Sequence, residues 1–307
     1  MKNATLRQLR VFESAARHLS LTRAAHELHL TPPAVSIQIR HLEGHAHAEL
    51  FERVGRRLRL TQAGAEVLVR VREILTQIRG AEEAIEGLRS LEQGLLDVAA
   101  INAGDYFFPW ILAAFRARHP GIRVRLSVGN RDELLARLAA HETDLAVMSH
   151  PPAQAQFIAE AFAPHPHVIV AAPGHALAGK RAVSLERIAT EPLLTREPGS
   201  ATHLAMEQAF SEAGVVPRIE MEIASNETIK QAVAAGFGVG FLSAHAVQQE
   251  LTLGRLVVVS VKGFPVMRQW YVVHRRDRRL PRITEAFQGF VVKEGAQLIR
   301  RHEKGKT

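Results

Sequence analysis

Apolar positions in the first 60 residues fall at helical spacing and then switch to alternation. Val35, Ile39 and Leu42 share one helical face, spaced by four and three. Thr31 precedes that helix as a cap, and Pro32 takes its first position, where a missing N–H costs nothing. Upstream, Ser20 caps a shorter helix whose Ala24 and Ala25 admit a close helix crossing, with Leu28 and Leu30 supplying the apolar contact. Residues 21–40 therefore read as a helix-turn-helix. The face opposite Val35 carries Pro33, Ile37, Arg40 and His41, flanked by Ser36 and Gln38. It suits base edges and phosphates, although an ordinary amphipathic hairpin has the same periodicity.

Between Phe51 and Thr61, Leu58 and Leu60 alternate with Arg57 and Arg59 beyond Gly55, which predicts two short strands. Arg53, Arg56 and Arg57 cluster at the tip. Bundled with the helices, this is a winged helix-turn-helix whose basic wing grips phosphates or enters a minor groove. The expected DNA-contacting residues are Thr31, Pro32, Pro33, Ser36, Ile37, Gln38, Arg40, His41, Arg53, Arg56 and Arg57.

From Thr61 a helix follows, with Val67, Val71, Ile74, Ile78, Ala81, Ile85 and Leu88 at alternating spacings of four and three. A heptad seam of this kind buries itself against a copy of itself, or packs onto the body of its own chain. Two DNA-reading heads need joining, which favours the dimer.

Beyond Gly94, strands at 95–101, 122–128 and 144–148 alternate with helices at 105–119 and 131–140, the order of a parallel sheet. A second set follows: a strand at 167–172, a helix from Ser184, the strand PLLT, a helix at 201–213, the strand RIEMEI, a helix at 227–235 and the strand VGFL. A strand at 266–274 and a helix at 281–300 close the chain.

Composition narrows the function. The 307 residues suffice for two or three domains and contain no cysteine, which excludes disulfides, thiolate metal sites and cysteine nucleophiles. The uncharged stretch 231–244 is too short and glycine-rich to span a bilayer, and the first 20 residues lack a signal-peptide pattern, so a cytoplasmic protein without membrane association is expected. Residues 1–60 carry ten Lys/Arg against five Asp/Glu, a balance that fits nucleic acid. Residues 262–307 carry twelve against four, read here as a solvated surface.

Three strand-to-helix junctions offer backbone N–H groups and polar side chains suited to an anion. They are Asn102-Ala103-Gly104, the run 195–202 with Thr195, Arg196, Ser200, Ala201 and Thr202, and Ser225-Asn226-Glu227-Thr228. Met148 and Ser149 end a further strand. These residues are the expected lining of a site for a small anionic effector, a carboxylate or phosphate. No other cofactor is expected. GFGVG at 236–240 follows a helix and precedes a strand, the reverse of a dinucleotide loop. Neither His41 with His45 nor His165 with His167 has further ligands at metal-site spacing, and the histidines are read as solvated. No nucleophile or paired-carboxylate arrangement indicates an enzyme.

The order AA-x-x-L, T-x-P-A-V-S, LE, LFER and LTQAG resembles LysR-type transcriptional regulators. The resemblance implies a winged helix-turn-helix over 1–61, a linker and dimerisation helix over 62–91, and a two-lobed α/β effector domain over 92–307, itself similar to periplasmic solute-binding proteins. It places lobe one at 92–162 and 268–307 and lobe two at 163–267, with crossovers near 148–164 and 263–268. Family members usually have glycine where His47 stands. REPGSATH, SNETIKQAVAAGFGVGFLS and GFPVMRQWYVVHRRDRRL look like the CbbR branch, which controls Calvin-cycle (RuBisCO) operons and whose implied effectors are phosphorylated or nucleotide metabolites. The implied partners are double-stranded DNA with an interrupted inverted repeat, further copies of the chain as dimer and tetramer, the effector, and RNA polymerase. A solute-binding protein or the regulator of another metabolic operon are the competing readings.

Overall fold

The computed structural model describes residues 3–55, 57–86, 94–303 and 305. Two compact units emerge: Met1–Leu88 with Ala140–Glu142, and Arg89–Ala139 with Thr143–Thr307.

The first unit contains α1 (Leu6–His18), α2 (Leu21–Glu27), α3 (Pro32–Ala46), β1 (Phe51–Val54), β2 (Arg57–Leu60) and α4 (Gln62–Glu86). Thr5 and Gln8 cap α1 reciprocally, each side chain accepting from the other's backbone N–H. Ser20 and Thr31 cap α2 and α3 as their positions predict. Ala24, Ala25, Val35 and Ile39 are buried with Val11 and Ala15 of α1, while Leu42 joins Leu9, Phe12, Ala16 and Leu50. The Glu43 carboxylate accepts from Leu50 N at 2.9 Å and Phe51 N at 3.2 Å, tying the end of α3 to the start of β1. His47 ends α3 at φ 51°, the left-handed backbone for which glycine is best suited. The heptad reading of α4 is corrected over its first turns. Val71 is fully buried, and with Val67 and Leu68 it packs into the core built on α1 rather than lying free for a second copy. Ile74 and Ala81 remain exposed; the side chains of Ile85 and Leu88 lie outside the described residues.

The second unit begins with β3 (Gly94–Ile101), a 3-10 turn (Asn102–Gly104), α5 (Phe108–Arg118), β4 (Ile122–Gly129), α6 (Arg131–Ala139) and β5 (Leu145–Met148). The helix expected from Asp105 thus starts three residues later, because the chain first makes the 3-10 turn. Then come β6 (Phe157–Ala171), α7 (Leu185–Ala189), β7 (Leu193–Arg196), α8 (Ala201–Glu212), β8 (Ile219–Ile223), α9 (Asn226–Ala234), β9 (Val239–Ser243), α10 (Ala244–Thr252), β10 (Val257–Val258), β11 (Val266–Arg275) and α11 (Arg282–Glu303). The sheet order is β4-β3-β5-β11-β6-β9-β7-β8, with β10 also on β6. β4-β3-β5 and β9-β7-β8 are parallel sets, each the centre of one lobe, and the antiparallel pair β6 and β11 joins them.

The expected crossovers near 148–164 and 263–268 run into the strands β6 and β11. β6 runs through Pro164 and Pro166, residues that argue against a strand by sequence. Both precede His167–Val170, the stretch over which β9 pairs, so β6 is an edge on that side where the prolines stand. Lobe one is centred on Phe108, Ile111, Phe115, Val147, Trp270 and Phe287; lobe two buries Ile169, Leu193, Phe210, Phe241 and, on the other sheet face, Val170, Leu194 and Val233.

Candidate functional site

On α3 the burial pattern separates two faces. Val35, Ile39 and Leu42 are buried, whereas Pro32, Pro33, Ile37, Arg40 and His41 are exposed and Ser36 and Gln38 half-buried. Ile37, a large apolar side chain, is 42% exposed. The Thr31 hydroxyl accepts from Ala34 N at 3.4 Å, fixing the end of the helix that such motifs push into a groove. In the wing, Gly55 takes φ 64° between the strands. The register pairs Phe51 with Leu60 and Arg53 with Leu58, so exposed Arg53 shares the Leu58 face rather than that of Arg59. Arg56 and the Arg57 side chain lie outside the described residues.

In the second unit the three junctions converge on one cation. Arg196 ends β7 and is 2% exposed. Its Nη1 donates to Asn226 Oδ1 at 3.0 Å at the start of α9, and its Nη2 reaches Asn102 Oδ1 at 3.4 Å after β3. Nε and Nη2 also donate to the two carboxylate oxygens of Glu197, at 2.7 and 2.9 Å. Arg196 thus ties lobe two to lobe one from a buried position. Its carbonyl accepts from His203 Nδ1 at 2.8 Å on α8. Ser200, buried with Ala201 and Thr202, caps α8 by accepting from His203 N at 3.0 Å.

The expected residues divide by the alternation of the strand. Thr195 points to the face opposite Arg196. Its hydroxyl and that of Ser149, both wholly buried, have no hydrogen-bond partner among the described residues. Met148 is also fully buried, as are Ala103 and Gly104 in the 3-10 turn. Thr228 is exposed on α9, its N–H held by Ser225 at 3.2 Å. The Glu227 carboxylate is engaged by Lys230 Nζ at 2.6 Å and Tyr106 Oη at 2.8 Å. Burial raises the Glu227 carboxyl, yet Lys230 and Tyr106 together hold it below the usual range. Burial, and then the Glu227 charge, push the Tyr106 phenol upward. Burial raises Asp105 in spite of the opposing Arg196 charge.

Several contributors were not legible in the sequence. Lys230 carried no motif; it is 2% exposed and also pairs with Glu250 at 2.9 Å. Tyr106 carried no motif, and Glu197 stood inside the expected junction without an assigned role. The histidine reading is corrected too. His165 and His167 are wholly buried on β6; their rings lie 4.2 Å apart, and His165 stacks on Trp270 at 4.0 Å. Among the described residues no cluster of His, Asp or Glu is placed to hold a metal ion. Part of the basic tail is likewise structural: Arg278 pairs with buried Asp144 at 2.5 Å, and Arg276 donates to Ala155 O at 3.0 Å.

A DNA-reading head and a two-lobed domain closing on a buried arginine are matched by two family models. The bacterial regulatory helix-turn-helix protein, lysR family, covers residues 6–65, and the LysR substrate binding domain covers residues 89–296. The chain belongs to the LysR family of transcriptional regulators. This family consists of regulators rather than enzymes. The chain is 46% identical over 296 residues to a RuBisCO operon transcriptional regulator of Allochromatium vinosum, covering 96% of this chain and 98% of the relative. It is 42% identical to the transcriptional regulator CbbR of Rhodospirillum rubrum, covering 93% of this chain and 95% of that one. Among solved structures, the CcmR regulatory domain of Synechocystis in complex with 2-PG (2-phosphoglycolate) matches 66% of this LysR-family chain and 97% of that chain, at 35% identity and a TM-score of 0.63. No helix among the described residues is long and apolar enough to cross a membrane.

Proposed function

We propose that this LysR-family chain controls a carbon-fixation operon in response to a small phosphorylated anion bound between the lobes. The convergence of three strand-to-helix junctions on buried Arg196 carries the effector half of this reading. A buried guanidinium with a planar fork is the group best suited to a carboxylate or phosphate. The α8 and α9 N-termini add dipoles of the same sign. The relatives that regulate RuBisCO operons, and the Synechocystis relative that binds 2-phosphoglycolate, support the choice of operon and anion.

The DNA half rests on α3. Its exposed face presents Ser36, Gln38 and Arg40 to base edges and Ile37 to a thymine methyl, while Thr31 and Arg53 hold phosphates. One head reads few bases. A dimer, formed through the distal part of α4 where Ile74 and Ala81 are exposed, and doubled into a tetramer, reads an interrupted inverted repeat. Effector binding changes the angle between lobes, hence the spacing of heads, the DNA bend and the access of RNA polymerase, in the cytoplasm where the chromosome lies.

Nuclease footprinting of the purified full chain on DNA upstream of the carbon-fixation operon tests this directly. The expected result is an extended footprint whose length or hypersensitive positions change on addition of 2-phosphoglycolate. A footprint on that DNA indistinguishable from random sequence, or unaltered by any phosphorylated metabolite, contradicts the reading.

A further inference from the structure

We infer that the Glu197 carboxylate is an internal competitor for the anion taken by the cleft, and that it selects a phosphoryl group over a lone carboxylate. The inference rests on the reading of the cleft as an anion site.

Arg196 presents its fork to Glu197 through Nε to Oε2 at 2.7 Å and Nη2 to Oε1 at 2.9 Å. That pair of parallel bonds is the geometry an arginine offers to an incoming carboxylate or phosphate. Nη1 is turned to Asn226, and Nη2 is shared with Asn102. An anion reaching the guanidinium therefore meets a fork already closed by the chain's own carboxylate. The second buried cation of this wall, Lys230, is also engaged, by Glu227 and Glu250. Binding must proceed by exchange.

Glu197 is placed to leave. Its side chain is 21% exposed against 3% for Arg196. Pro198 is exposed, and Gly199 takes φ 86° between Glu197 and the α8 cap Ser200. Glu197 has the solvent it needs once released, whereas Arg196 stays buried and requires a replacement.

The exchange sets the ligand class. A monocarboxylate offers Arg196 the same single charge and two oxygens as Glu197, so the swap gains nothing and leaves Glu197 unpaired. A phosphoryl group carries about −1.5 to −2 charges near neutrality and three acceptor oxygens. It keeps the fork filled and has an oxygen left for the N–H groups at the start of α8. The same exchange reaches lobe one. Gly199 O accepts from Asp132 N at 3.3 Å at the start of α6, so withdrawing Glu197 moves the loop that holds this interlobe bond.

The test is isothermal titration of the full chain with 2-phosphoglycolate and with glycolate, which lacks the phosphoryl group, at fixed ionic strength. Wild type is expected to bind 2-phosphoglycolate and not glycolate. Glu197→Gln is expected to bind 2-phosphoglycolate at least tenfold more tightly and to gain glycolate binding, while Arg196→Gln binds neither. Glu197→Asp, which keeps the charge but shortens the reach, is expected to fall between wild type and Glu197→Gln, and it decides the matter if the glutamine variant does not fold. If wild type binds and Arg196→Gln does not, yet neither Glu197 variant binds more tightly, the competitor role is overturned and the anion site stands. If neither wild type nor the Glu197 variants bind 2-phosphoglycolate, the anion site falls and the competitor with it.

Discussion

Tyr106 Oη donates to Glu227 Oε1 at 2.8 Å, joining the turn after β3 in lobe one to the first turn of α9 in lobe two. Lys230 Nζ lies 4.9 Å from the centre of the Tyr106 ring and 2.6 Å from the same carboxylate oxygen, so one cation supports both partners. Burial first, and then Glu227, keep the phenol protonated, a neutral donor at every pH the protein meets. Tyr106→Phe keeps the ring over Lys230 and removes only the donor. It is expected to lower the unfolding free energy of the effector domain by about 1 kcal/mol, the usual net worth of such a bond. Urea titration checks this, and an unchanged midpoint contradicts the tie.

The DNA surface predicts a division of labour between helix and wing. Arg53→Ala is expected to weaken binding to all sequences alike and to reduce the slope of log affinity against log salt by about one. Ser36→Ala is expected to cost on the order of 1 kcal/mol on the operator and little on random duplex. Anisotropy titrations over a salt series separate the two effects, and the opposite pattern reverses the assignment.

Two glycines of α4 predict effects of opposite sign. A Cβ on Gly64 would lie 2.0 Å from Leu50 O, backbone that β1 and Glu43 hold in place, so Gly64→Ala is expected to cost about 2 kcal/mol or more. Nothing lies within 4 Å of a Cβ on Gly80, so Gly80→Ala is expected to stabilise α4 by about 0.5–1 kcal/mol. Thermal denaturation of both variants is the check.

The crossover strands predict an acid sensitivity. Burial holds His167 down at about 3, and His165 well below its ordinary range, so both are neutral in the folded chain. The unfolded imidazoles titrate near 6.5, so the unfolded state binds more protons below that pH. Stability is therefore full above about 6.5 and is lost progressively as pH falls toward 3. For His167 alone the loss between pH 7 and pH 5 is about 2 kcal/mol. His167→Leu, similar in volume and unable to titrate, is expected to make the pH dependence of the denaturation midpoint shallower over that interval, with His165 supplying the remainder. An equally steep profile in the variant contradicts the assignment.

The sequence made the periodic elements legible and hid those whose pattern conflicts with their surroundings. The faces of α3 follow from Val35, Ile39 and Leu42 because a half-exposed helix must show a 3.6-residue period. β6 was legible only in its last third, the buried apolar run 167–171: Pro164 and Pro166 mask the middle, and the exposed run Ala159, Glu160 and Ala161 breaks the alternation that marks a half-buried strand. The seam of α4 was legible as a pattern but not in its partner, because Val71 satisfies a heptad equally well by packing on α1. At the cleft, Arg196, Asn102 and Asn226 were legible from the chemistry of strand-to-helix junctions. Glu197, Tyr106 and Lys230 were not, because charged and phenolic side chains are ordinary at a surface and only the fold brings these three to the same wall.

The most direct test of the central claim, a ligand-responsive reader of operator DNA, is competition anisotropy of the full chain. A labelled duplex from upstream of the carbon-fixation operon is challenged at physiological salt with unlabelled operator or random duplex. The account predicts that random duplex competes at least about 10³-fold less well, as specific readers require, and that 2-phosphoglycolate shifts the operator curve. Equal competition by both duplexes would contradict it.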